Sequence, residues 1–282
     1  MIMQSQSFAC LLLASLAGLP FVRAFAAEKP PVCVVRCAVI GGMTKTGLWP
    51  EIARRFEKDT GCKAEAVATG PRPVLDRAFR SGKADLITMH SGDITTDLAA
   101  DGFGVNMRPW TRNELCLVGP SDDPAHIRGM TSGAAALRKI ARAKVAFVDF
   151  QGIGSRELTH TLWRLAGLEP KGDWVLRDDS ARGEDILQFA RRRRAYVIVG
   201  YIPAKTGKMD ADGMEILVHG DPVMRRPYIV MEANPKKFPD ANVAGARALA
   251  DYLLSEKTQT FLTSFGTRVT GGRPLFHPVA AP

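Results

Sequence analysis

The chain has 282 residues, 46% of them hydrophobic and 24% charged, with a formal net charge of +9. This composition excludes a low-complexity or disordered chain, and the length gives one large or two smaller domains. The basic balance points to an anionic partner.

Residues 8–19 form an apolar run too short to span a bilayer as a helix. Pro20 breaks it and Ala24-Phe25-Ala26 follows as a small-x-small cleavage signal. Residues 1–26 therefore read as a secretory signal peptide, with a mature start at Ala27 or Glu28, although residues 1–7 hold no Lys or Arg. Cys10 opens the apolar run rather than following it, which argues against a lipoprotein anchor. No second segment reaches spanning length, so the mature chain is expected to be soluble, periplasmic and monomeric. Export sets nucleic acid aside as a partner. Arg191 to Arg194 follow Ile186, Leu187 and Phe189 of an amphipathic pattern and read as a solvated helix end.

Loss of the leader leaves Cys33, Cys37, Cys62 and Cys116. Cys33 and Cys37 share one strand pattern, which puts their Cα atoms about 13 Å apart, beyond disulfide reach. They are expected to pair elsewhere, with Cys62 and Cys116, or to stay reduced and buried. A metal site is disfavoured, because no Cys-x-x-Cys or nearby His completes a ligand set.

Strand and helix signals alternate along the chain. Residues 32–40 predict a buried strand, 41–47 a loop, 48–59 a helix and 63–68 a second strand. A helix over 74–80 and a strand over 84–89 follow. Further strands are predicted over 114–118, 144–150, 174–176, 195–199 and 227–232, with helices after residue 156, over 183–193 and over 241–264. Such alternation implies α/β lobes with mostly parallel sheets, whose ligands bind beyond the C-terminal strand ends. Breaker-rich links at Gly119-Pro120 and Gly220-Asp-Pro222 divide the chain. Residues 27–118 and 222–282 are expected to form lobe 1, with lobe 2 inserted at 119–221.

The loops beyond the strand ends carry the candidate chemistry. Gly42-Met-Thr-Lys-Thr-Gly47 is not a P-loop, since Leu48 and Trp49 stand where Lys and Ser/Thr are required. It still offers backbone N–H groups and the hydroxyl of Thr44. Gly70 with Arg72 repeats the pattern, and so does Arg182 with Gly183. Gln151-Gly-Ile-Gly-Ser-Arg156 connects a strand to a helix N-terminus, where Ser155 donates a hydroxyl and Arg156 a cationic fork. His90 is the one histidine placed beyond a strand end. No Gly-x-Ser-x-Gly elbow, His-Glu-x-x-His motif or paired carboxylates point to catalysis, so no enzyme, cofactor or metal is expected.

Several blocks resemble a known family. They are Gly82-Lys-Ala-Asp-Leu-Ile-Thr-Met-His-Ser91, Asp101-Gly-Phe-Gly-Val-Asn-Met-Arg108 and Val118-Gly-Pro-Ser-Asp-Asp-Pro-Ala-His-Ile127. To these add Leu162-Trp-Arg-Leu-Ala-Gly-Leu-Glu-Pro-Lys-Gly-Asp-Trp174, and His219-Gly-Asp-Pro222 before Asn234-Pro-Lys236. In this order they resemble the tungstate-binding periplasmic proteins of ABC importers, within a class that includes phosphate- and molybdate-binding proteins. The resemblance implies a two-lobed clamp that closes on a small anion and delivers it to a membrane permease. The chain departs from the family at the ligand. The Thr-Thr-Thr-Ser loop falls near Val39-Ile-Gly-Gly42, and the Ser-Gly-Thr-His turn becomes Ile153-Gly-Ser-Arg156. Tyr201 stands where an arginine is expected, while Arg72 and Arg182 are additions.

The expected function is thus capture of a tungstate- or molybdate-type oxyanion between two lobes. The alternatives are a larger carboxylate or organophosphate ligand and a sensory or accessory role. Expected ligand residues are Gly42, Thr44, Gly70, Arg72, His90, Ser155, Arg156, Arg182 and Tyr201.

Overall fold

The sheet begins where the sequence is most continuously apolar. In this computed structural model, which describes residues 33–150, 155–178, 186–207, 209 and 211–279, β1 (Val34–Ile40) lies between β2 (Lys63–Gly70) and β3 (Leu86–His90). All three are parallel. Val35 and the run from Cys37 to Ile40 are buried, as a strand covered on both faces requires. Helices α1 (Gly41–Lys45), α2 (Leu48–Thr60) and α3 (Arg72–Arg80) make the crossovers. The segment 41–47, expected as a loop, begins with the short α1, where the Thr46 hydroxyl and N–H both bond back to the Gly42 carbonyl. In α2, Leu48, Trp49, Ile52 and Phe56 turn inward, and Gly61 closes the helix at φ +74°.

After α4 (Asp93–Ala100) comes the longest element, β4 (Gly104–Pro120). The sequence pattern predicted only its last third. Asn106 at φ +54° and register shifts between Val105 and Arg108 and between Pro109 and Thr111 interrupt the alternation over the earlier part. Then follow α5 (Gly133–Ala143), β5 (Phe147–Phe150), α6 (Arg156–Ala166), β6 (Val175–Asp178), α7 (Ile186–Arg192), β7 (Tyr196–Gly200), α8 (Tyr201–Lys205) and β8 (Met214–Val218). The chain returns through β9 (Arg225–Ala233) and ends with α9 (Val243–Leu254), α10 (Glu256–Ser264), α11 (Thr267–Thr270) and β10 (His277–Pro278). The expected helix over 241–264 is two helices, because Ser255 leaves helical backbone and caps α10 with its hydroxyl.

Strand order is β2-β1-β3-β9-β4-β7-β5-β6, with β8 and β10 also pairing with β4. The parallel strands form two groups, β1 to β3 and β5 to β7, and antiparallel β9 and β4 join them. This is a two-lobed α/β architecture in which one strand belongs to both sheets. Buried polar groups fix each half. Asp85 is 1% exposed and accepts hydrogen bonds from the Arg36 backbone and guanidinium and from Asn242 N–H, tying β1 and β3 to the start of α9. In the second half, the Tyr196 hydroxyl donates to Asp123 and accepts from Ala125 N–H.

Cys33 is bonded to Cys62, joining the residues that precede β1 and β2 at a Cα separation of 4.6 Å. Cys37 and Cys116 are free, buried thiols. Burial pushes both thiols up, so they stay protonated.

Candidate functional site

Where β1, β2 and β3 end, polar groups converge on the middle of β9. His90, the last residue of β3, is paired in register with Tyr228, and its ring stacks on Tyr228 at 4.2 Å between centroids. Two residues before Tyr228 on the same face of β9 is Arg226, opposite Asn113 of β4. The Arg226 guanidinium lies 3.2 Å from His90 Nε2 and 3.4 Å from Asn113 Oδ1. A guanidinium only donates, so Nε2 must accept and the His90 proton resides on Nδ1. Burial, together with Arg226 and Arg72, holds His90 well below the ordinary histidine value, so the ring is neutral.

Among the described residues Arg226 forms no ion pair with a carboxylate. Burial, with Arg72 beside it, pulls its pKa down to about 10. It stays charged at neutral pH with only neutral groups bonded to it. Burial pushes the Tyr228 phenol up and keeps it a neutral donor. A side chain at Gly42 would approach the Tyr228 hydroxyl at 3.9 Å, so the start of α1 opens onto the same place.

The second cation comes from α3. Arg72 is 8% exposed, and its Nη1 reaches Asp93 Oδ1 at 3.5 Å. The guanidinium runs over Gly92, where a Cβ would lie 2.6 Å from Nη1, and the φ of +154° there also favours glycine. The same point above Gly92 is 3.7 Å from Glu157 Oε1, in the first turn of α6. Groups from both halves of the molecule therefore meet here.

The structure brings only part of the sequence-predicted set together. Gly42, Arg72 and His90 surround one locus, and Gly70 stands at the end of β2 beside it, its carbonyl 3.5 Å from a Cβ built at Gly41. Thr44 Oγ1 is engaged locally, 3.0 Å from the Gly41 carbonyl and 2.9 Å from Thr69 Oγ1. Ser155 is buried at the N-cap position of α6 and Arg156 is exposed beside it. Arg182 lies outside the described residues. Tyr201 stands elsewhere, 5.5 Å ring to ring from His219, and its electrostatic neighbours are Arg273 and Glu114. In that second cluster Glu114 accepts from Gly220 N–H, pairs with Arg273 at 3.1 Å and lies 3.3 Å from His277 Nε2. Burial alone would raise its carboxyl, but His277, Gly220 and Arg273 together hold it below the usual range. Sequence reasoning missed Arg226, Tyr228 and Asn113. The signal was the alternation of Arg226 and Tyr228 in a strand that follows Gly220-Asp-Pro222.

A family model described as bacterial extracellular solute-binding protein matches residues 37–268. The chain belongs to this family. It is thus a solute-binding protein and not an enzyme. The tungstate-binding protein TupA of Peptoclostridium acidaminophilum is 32% identical over 241 residues, covering 84% of this chain and 82% of that protein. Among solved structures, the tungstate-binding protein TupA from Desulfovibrio alaskensis is 25% identical, with a TM-score of 0.71, covering 88% of this solute-binding protein and 100% of that chain. The tungstate ABC transporter structure from Geobacter sulfurreducens is 26% identical, with a TM-score of 0.65, over 82% and 98% of the two chains.

Proposed function

We infer that this solute-binding protein captures a tetrahedral oxyanion, of the tungstate and molybdate type or a close relative, and delivers it to the permease of an ABC importer. The carrying observation is Arg226, a partly buried cation bonded only to neutral groups, with the Arg72 guanidinium close by. A partly desolvated charge with no carboxylate bonded to it is costly, and an anion held between the two guanidinia offsets that cost. Tyr228 and Asn113 supply neutral polar groups around it, and backbone N–H groups near Gly42 and Gly70 add donors. The tungstate-binding relatives support the same ligand class. The lobe division at 27–118 with 222–282, and 119–221, together with export after residue 26, completes this reading.

The test is a thermal-shift panel on stripped mature protein with tungstate, molybdate, sulfate, phosphate and small carboxylates. Anion at 100 times Kd stabilises by about 2.7 kcal/mol, a shift of several degrees for a chain of this size. Arg226→Ala is expected to abolish the shift while the free protein stays folded. An undiminished shift in that variant would overturn the site. A response to a carboxylate alone would favour the larger-ligand reading.

A further inference from the structure

A cavity of about 600 Å³ opens between α6, the turn after it and the strands β5 and β6, and it shares no residue with the anion locus. β6 ends the strand order, so no further strand closes this side. One wall is Trp163, 2% exposed and packed edge to face against Phe147 at 5.0 Å and Trp174 at 5.8 Å between centroids. Three rings locked in this way make a rigid apolar surface. Leu168 and Pro170, both half-buried, extend it through the turn after α6.

Two cations line the same cavity, Arg164 from the end of α6 and Arg177 from β6. Among the described residues neither guanidinium makes a hydrogen bond or an ion pair. The acids nearby do not neutralise them. Glu169 pairs with Lys171 at 2.7 Å, and Asp149, the register partner of Arg177, forms no ion pair with it. The Trp163 indole N–H is buried and has no acceptor either.

A guanidinium offers a planar fork of donors that matches a carboxylate, while the apolar wall offers an inorganic ion nothing. The volume is that of a site for a small organic molecule. We propose that this cavity is a second ligand site, which takes an amphipathic organic carboxylate. The hydrocarbon body lies against Trp163, Leu168 and Pro170, and the carboxylate is held by Arg164 and Arg177. The site is independent of what the cleft between the lobes holds.

Titration calorimetry on stripped mature protein, with 3-phenylpropanoate, indole-3-acetate and octanoate as probes, tests the proposal. At least one probe is expected to bind at one site per chain. For 3-phenylpropanoate, the neutral 3-phenylpropanamide is expected to bind about tenfold more weakly, since it cannot form the charged pair. Arg164→Gln combined with Arg177→Gln is expected to lose about the same factor, whereas Arg226→Ala binds as wild type does. Both replaced arginines are exposed, so an unchanged melting temperature checks that the double variant is folded. Silence from all three probes overturns the proposal, as does an amide that binds as tightly as the acid. Undiminished binding in the double variant overturns it too. Loss of binding in Arg226→Ala alone would put the carboxylate in the cleft, sinking the second site and leaving the larger-ligand reading of the cleft standing.

Discussion

His90 is held in one tautomer by a neighbour that cannot accept a hydrogen bond, and this has a measurable consequence. Its folded value lies well below 6.5, whereas the unfolded chain takes up the proton from about 6.5 downward. Its contribution to stability is therefore intact above about pH 6.5. It is lost as pH falls below that, by up to about 1.4 kcal/mol per pH unit. His90→Gln keeps an acceptor for Arg226 and removes the titration. The difference between variant and wild type in urea melts is expected to grow from pH 7 to pH 5 in the variant's favour, and parallel curves would refute it. At this scale the sequence revealed those groups that follow parallel strands, His90 and Arg72, since the strand-end rule reaches them. It did not reveal Arg226 and Asn113, which face each other across an antiparallel pair that no local pattern announces. Thr44 and Tyr201 looked equivalent to the others by position, but local hydrogen bonding engages the first and the register of β7 against β4 carries the second toward Glu114.

At the scale of elements, most strands and helices were legible because they obey their periods, as β1 and α2 do. The early part of β4 was not, because its bulges and polar residues break the period and only pairing with β9 makes it a strand. The disulfide is also an element-level device. It closes a sequence separation of 29 residues around β1, α1 and α2. Chain entropy assigns it about 3.5 kcal/mol. Reduction, or Cys33→Ser with Cys62→Ser, is expected to lower the melting temperature by several degrees. Alkylation in the native state should leave Cys37 and Cys116 unmodified, as both are buried. Labelling of either at the rate of an exposed thiol would contradict this burial.

For the whole molecule, the parts that join the halves matter most. Glu114 lies in β4 where the strand passes from pairing with β9 to pairing with β7 and β8. It gathers the second connection through Gly220 and the C-terminal segment through Arg273 and His277. Glu114→Ala would strand these partners around a buried gap and is expected to cost about 2–4 kcal/mol in denaturant melts, the Arg273 share reduced by its partial exposure. A loss below about 0.5 kcal/mol would show that the cluster holds nothing together.

The shared strand also decides what kind of machine this can be. Backbone pairing continues across the crossing, at Arg112 with Pro227, Asn113 with Arg226 and Glu114 with Arg225. On the proposed function, a closing movement of one half against the other would be absorbed as torsion in this paired ribbon rather than in a slack loop. Torsion is elastic. A molecule that captured its anion this way would work less like a door on a pin than like a leaf spring, with the grip on the cargo and the recoil that frees it borne by the same few residues.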